Sequence, residues 1–182
     1  MPVRIEDVLA LLLELFPGDQ QIPMKRIRLN PKNPGPPPTK EQIQVLSANI
    51  ALRGLLNAIK VMVDKADPLA PGVALHPDNP RIKVDGTPWR VEDFNWMLLA
   101  GEGRYKACDL LKWETIRGNI LNPTPGEAVE ITHLDNDTRD KGWWAAYQSI
   151  EYRIAADPNL TQEQVAARLD VSLELVNWAI RR

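Results

Sequence analysis

Apolar positions along this chain recur with two periods, and the breaks between them outline the elements. Over Ile5–Phe16 they fall at Val8, Leu9, Leu11, Leu12, Leu13, Leu15 and Phe16, which predicts a helix stopped by Pro17-Gly18. That apolar surface is wider than a single stripe, so the helix is expected to be buried on more than one side. Gln21–Leu29, apolar at Met24, Ile27 and Leu29, reads as a short strand. The proline-rich run from Asn30 to Pro38 cannot be regular, because proline removes donors and fixes φ. Thr39, with Gln42 three residues on, predicts a capping box, and the helix runs through Ile43, Leu46 and Ile50 to Gly54. The second half of Leu55–Val63 is strand-like.

Asp64–Glu92 carries five prolines and two glycines and predicts a long loop or extended hairpin, with a short strand at Arg81–Val84. Trp113–Leu121 predicts another strand, and Asn122–Gly126 a turn. Helices are then expected at Glu127–Leu134 and Trp143–Ala156, the second with Trp144, Tyr147, Ile150 and Ile154 on one face. Two short helices follow, Thr161–Leu169 and Ser172–Ile180, joined by Asp170-Val171. Their tight spacing and their apolar positions Val165, Ala166, Leu169, Val171, Val176 and Ile180 match a helix-turn-helix.

Candidate chemistry concentrates at Asn95–Leu111. Trp96–Ala100 predicts a buried strand, Gly101 and Gly103 punctuate it, and a helix carries Ala107, Cys108 and Leu111 at helical spacing. Glu102, Arg104 and Lys106 sit at the junction. Free N–H groups at a helix start, glycines that admit an anion, and two cations suit phosphate; an ordinary strand-to-helix turn with a solvated basic edge is the alternative.

At 182 residues and 44% hydrophobic content the chain can fill one large or two small cores. A net charge of −2 and a pI near 5.7 exclude a globally basic nucleic-acid binder, so any DNA contact must be local. The single cysteine, Cys108, excludes an internal disulfide framework and fits a packed thiol in a reducing cytosol. His76 stands among loop residues without neighbouring ligands, so no metal role is expected. No signal peptide and no membrane span are expected.

Four motifs in one order resemble the ParB/Spo0J partition family over roughly Ile22–Arg182. The N-P-x-Q-P-R box stands as Asn30-Pro31-Lys32-Asn33-Pro34-Gly35. The helix-to-strand segment stands as Asn49-Ile50 through Gly54-Leu55-Leu56-Asn57-Ala58-Ile59-Lys60-Val61. The G-E-R-R-x-R-A motif stands as Gly101-Glu102-Gly103-Arg104-Tyr105-Lys106-Ala107. The E-N-x-x-R box stands as Asp135-Asn136-Asp137-Thr138-Arg139, and the helix-turn-helix follows.

The resemblance implies an α+β fold, a small mixed-sheet domain of the ParB/sulfiredoxin type followed by an all-α region. It divides the chain into an N-terminal apolar helix (1–20), a nucleotide-binding domain (21–122) and a helical region (123–182). It implies CTP with Mg²⁺ as ligand, a nucleotide-gated dimeric clamp on centromere-like DNA, a Walker-type partition ATPase as partner, and a cytoplasmic, nucleoid- or plasmid-associated location. Carried over by position, Gly101, Glu102, Gly103, Arg104, Lys106, Asn136 and Arg139 would bind nucleotide. Asp135 would hold the metal, and Ser172, Asn177, Arg181 and Arg182 would meet DNA. The family's further DNA-binding helices and dimerisation region do not follow, so a fragment of a longer protein is expected.

The chain also departs from the pattern. Gly103 and Gly35 stand where the family has arginines, and Lys106 where it has another. Arg to Gly deletes a bidentate donor, and Arg to Lys loses the planar fork. Asn33 replaces a Gln tied to hydrolysis and is the candidate catalytic residue. Binding without turnover and slow CTP hydrolysis both remain open at this level. The rival readings are a ParB-fold kinase or nuclease, and a nucleotide-independent interaction module. A thiol enzyme of the sulfiredoxin kind is disfavoured, because Glu102 occupies the place of its cysteine.

Overall fold

The computed structural model of the chain describes residues 2–34, 36–135 and 142–181. Where one N-terminal helix was predicted there are two, α1 (Ile5–Ala10) and α2 (Leu12–Leu15). Leu11 N–H bonds to Val8 O at 3.0 Å, a tightened turn between them. Val8, Leu12 and Phe16, four residues apart, are all buried.

The predicted strand at Gln21–Leu29 is also split, into β1 (Asp19–Pro23) and β2 (Ile27–Leu29) around a 3₁₀ turn at Met24–Arg26. Pro23 has no N–H to continue the ladder. The two pieces end up on opposite edges of one five-stranded sheet. Between those edges lie β3 (Ile59–Val63), β4 (Trp96–Ala100) and β5 (Thr115–Ile120), in the order β1-β5-β3-β4-β2. Pairing is mixed: β1–β5 and β3–β4 are antiparallel, β5–β3 and β4–β2 parallel. Gly118 in β5 makes room for side chains of the adjacent strands, since a Cβ there would stand 2.8 Å from Ile22 Cγ1 of β1.

Helix α3 (Lys40–Arg53) starts on the predicted box, with Thr39 accepting from Gln42 N–H and Gln42 Oε1 accepting from Thr39 N–H. It ends at Gly54, which holds φ +73°. It packs on α4 (Glu102–Leu110), which follows β4 directly. The stretch 64–92 contains isolated bridges, Leu75 with Lys83 and Ile82 with Pro88, where a strand was predicted. It is tied down by side chains. Lys83 Nζ meets Asp93 at 3.1 Å with both largely buried, Trp89 Nε1 donates to Pro80 O, and Trp89 stacks on Phe94 beside Phe16 and Trp96.

The helical part comprises α5 (Pro125–Asp135), α6 (Gly142–Ala156), α7 (Gln162–Leu169) and α8 (Leu173–Ile180). Its own core is Ile150, Val165, Ala166, Leu169, Val176 and Ala179, flanked by Tyr147 and Ile154. Trp144, predicted on that face, has its side chain outside the described residues. Contacts divide the chain into two compact units, Met1–Leu29 with Pro38–Asn122, and Asn30–Pro37 with Pro123–Arg182. The first is α+β and the second all-α. Among the described residues no helix is long and apolar enough to cross a membrane.

Candidate functional site

The turn after β4 is built on Gly101, which adopts a left-handed conformation (φ +99°, ψ 31°) as the N-cap of α4. A Cβ there would lie 2.9 Å from Ile59 Cγ2 and 3.1 Å from Arg104 Cζ and Nε. The position therefore requires glycine twice over, for backbone conformation and for space. Thr39, Thr161 and Ser172 cap α3, α7 and α8 with side-chain oxygens, whereas Gly101 offers α4 no side-chain acceptor. First-turn N–H groups without a capping side chain suit an incoming acceptor.

Arg104 folds back over this turn. Its Nη1 donates to Ala58 O at 2.6 Å and Asn57 O at 3.3 Å, in the loop between α3 and β3. Arg117 in β5 clamps the preceding carbonyls, Leu55 O at 3.1 Å and Leu56 O. Two guanidinium groups thus hold four successive carbonyls of one loop. Beside Arg104 lies an open pocket of about 300 Å³, lined by Asn49, Ile50, Arg53, Leu55 and Asn57 among others. Lys106 pairs with Glu102 at 2.5 Å along the same helix, and Gly103 is buried.

Cys108, on the inner face of α4, is fully buried, and that burial pushes its thiol up to about 11. A thiol so placed stays protonated and shielded, which argues against nucleophilic use. Among the described residues no group of three or more His, Cys, Asp and Glu side chains is arranged for a metal.

Helices α7 and α8 form with both predicted caps, Thr161 accepting from Gln164 N–H and Ser172 from Leu175 N–H. The turn between them is made by Asp170 in a left-handed conformation (φ 50°, ψ 48°). On α8, Leu173, Glu174, Ile180 and Arg181 are exposed and Asn177 half-exposed, while Val176 and Ala179 are buried.

No family model matches the chain. The chromosome-partitioning protein Spo0J of Thermus thermophilus is 26% identical over 94% of this chain and 53% of its own length. The nucleoid occlusion protein of Shouchella clausii is 33% identical over 44% of this chain and 28% of its length. Truncated Caulobacter crescentus ParB complexed to the centromeric parS site matches with a TM-score of 0.53 and 18% identity, over 89% of this chain and 70% of that one. The same protein complexed with CTP-gamma-S matches at 0.47 and 20%, over 90% and 77%.

The chain is similar to ParB/Spo0J partition proteins. It spans about half the length of the Thermus protein, and less of the other. The structure joins Gly101, Glu102, Gly103, Arg104 and Lys106 in one turn and first helical turns. Asn33 stands in the other unit, in the segment where Lys32 Nζ lies 5.9 Å from the centroid of the Tyr152 ring. Asp135 closes α5. Its side chain, together with Asn136, Arg139 and Arg182, lies outside the described residues.

The carbonyl clamp and the pocket were not identified as site features from the sequence. The motif Asn49–Val61 covers their residues, but its resemblance named no roles. The signal that could have pointed there is Arg117, a cation at a part-buried position of a strand.

Proposed function

We propose that the chain acts as a ParB-type partition module that binds CTP at the Gly101–Lys106 turn and DNA through its helix-turn-helix, nucleotide binding gating self-association. The observation that carries the nucleotide half is Arg104, held by carbonyls across a glycine turn at an uncapped helix start and beside a pocket. The turn and Arg104 would take the phosphates, and the pocket would take the nucleoside. Lys106 adds charge, with Glu102 as its partner. Mg²⁺ would supply charge neutralisation among the phosphate oxygens. The hard carboxylate oxygens of Glu102 suit such a cation.

The DNA half is supported by the helix-turn-helix geometry and by kinship with a partition protein. A partition ATPase would be the natural partner of such a module. The reading centres on binding, with slow CTP hydrolysis as a secondary activity. The test is a crosslinking series with CTP, ATP and GTP, each with Mg²⁺ and with or without a centromere-like duplex. CTP-specific crosslinking between copies supports the reading. Consumption of ATP would favour a kinase, and indifference to all three nucleotides an interaction module.

A further inference from the structure

We propose that the N-terminal turns of α8 read DNA through an acceptor and an amide, Glu174 taking the 4-amino group of a cytosine and Asn177 pairing with a nearby adenine. This rests on the DNA-binding reading above and deepens it. Residues 173, 174, 177, 180 and 181 form one outward stripe of the helix. From Leu173 to Ile180 there is neither lysine nor arginine. Of the nearby cations, Arg168 binds Glu130 at 3.2 Å and Arg153 is buried on the same carboxylate. Among the described residues neither Glu174 nor Asn177 has a side-chain partner.

The chemistry follows from the groove. Guanine O6 and N7 are acceptors, and the N-terminal turns of the helix, which read base edges in a helix-turn-helix, carry no cation to reach them; the stripe's one arginine, Arg181, stands at the far end. A carboxylate near phosphates is repelled, and gains only where it accepts from an amino group. In the major groove cytosine N4 presents that donor on its own strand, and asparagine fits adenine N6 and N7. Three residues on a helix advance about 4.5 Å, against about 3.4 Å per base pair. The two bases therefore lie within two steps of each other. Leu173 and Ile180 flank the pair with apolar surface suited to thymine methyls. Aspartate and glutamate outnumber lysine and arginine over residues 123–182, so the sequence-independent part of binding is small and its salt dependence shallow.

The test selects duplexes from a random library with the whole chain, then measures affinities of wild type, Glu174→Ala and Asn177→Ala, whose folding is checked by circular dichroism. The expected site has a cytosine within two steps of an adenine. Glu174→Ala weakens that site about tenfold while leaving scrambled DNA unchanged or tighter, and replacing the cytosine removes the difference. Asn177→Ala loses a similar factor only when the adenine is present. A selected site insensitive to both substitutions, or Glu174→Ala tightening selected and scrambled DNA alike, overturns the readout and leaves DNA binding standing. Failure of the wild type to hold any duplex overturns both.

Discussion

Arg104 lies across the left-handed turn at Gly101, its Cζ and Nε each 3.1 Å from the point a Cβ on that glycine would occupy. A methyl group there meets Ile59 on one side and the guanidinium on the other. Gly101→Ala is expected to lower stability by about 1–3 kcal/mol through strain at positive φ, and to push Arg104 off its carbonyls. Thermal unfolding reads the first effect and loss of CTP affinity the second.

The Arg104 tether is itself testable. Arg104→Ala returns the carbonyls of Asn57 and Ala58 to water and should cost about 1–2 kcal/mol. Arg104→Lys keeps the charge but cannot span both carbonyls in one plane. Faster amide exchange around Asn57–Ile59 in both variants, larger in the alanine, would show that the guanidinium orders the loop.

How far this site was legible in the sequence follows from distance along the chain. Thr39–Gln42, Thr161–Gln164 and Ser172–Leu175 are three residues apart, so the caps and the two short helices α7 and α8 could be read directly. The glycine turn was legible for the same reason. The Arg104 clasp spans 46 residues and the Arg117 clasp 61, and nothing local marks either. The split of Gln21–Leu29 across both sheet edges depends on which strands pair, a tertiary choice that alternation cannot show. Lys32 over Tyr152 is of the same kind.

Cys108 should resist alkylation in the folded protein and react once it unfolds. Its thiol is raised from 9.0 to about 11, so above pH 9 the unfolded chain loses this proton before the folded one does. The stabilisation is fully present below pH 9 and falls as pH rises toward 11. Denaturant midpoints across that range check the sign, and Cys108→Ala should flatten the slope there.

In the helical unit Glu130 serves two arginines, Arg153 at 2.8 Å and Arg168 at 3.2 Å. Arg153 is buried, and a Cβ on Gly126 would stand 2.5 Å from its Nη1. Glu130→Ala strands a buried cation and should cost about 3–5 kcal/mol. Gly126→Ala should displace the guanidinium and destabilise in the same direction. Urea unfolding followed by tryptophan fluorescence measures both.

Asp170 holds a left-handed conformation at the turn between α7 and α8, where glycine is at ease. Asp170→Gly is expected to raise stability by about 0.5 kcal/mol, the relieved left-handed strain less the entropy glycine adds to the unfolded chain, seen as a small upward shift in the unfolding midpoint.

The most direct test of the proposed nucleotide site is calorimetric titration of the whole chain with CTP and Mg²⁺, beside ATP and GTP, in wild type and in Arg104→Ala whose fold is verified. Saturable binding of CTP, preferred over the purines and lost in the variant, is the predicted result. CTP binding that survives Arg104→Ala, or no heat with any nucleotide, would contradict a phosphate role for the Gly101–Lys106 turn.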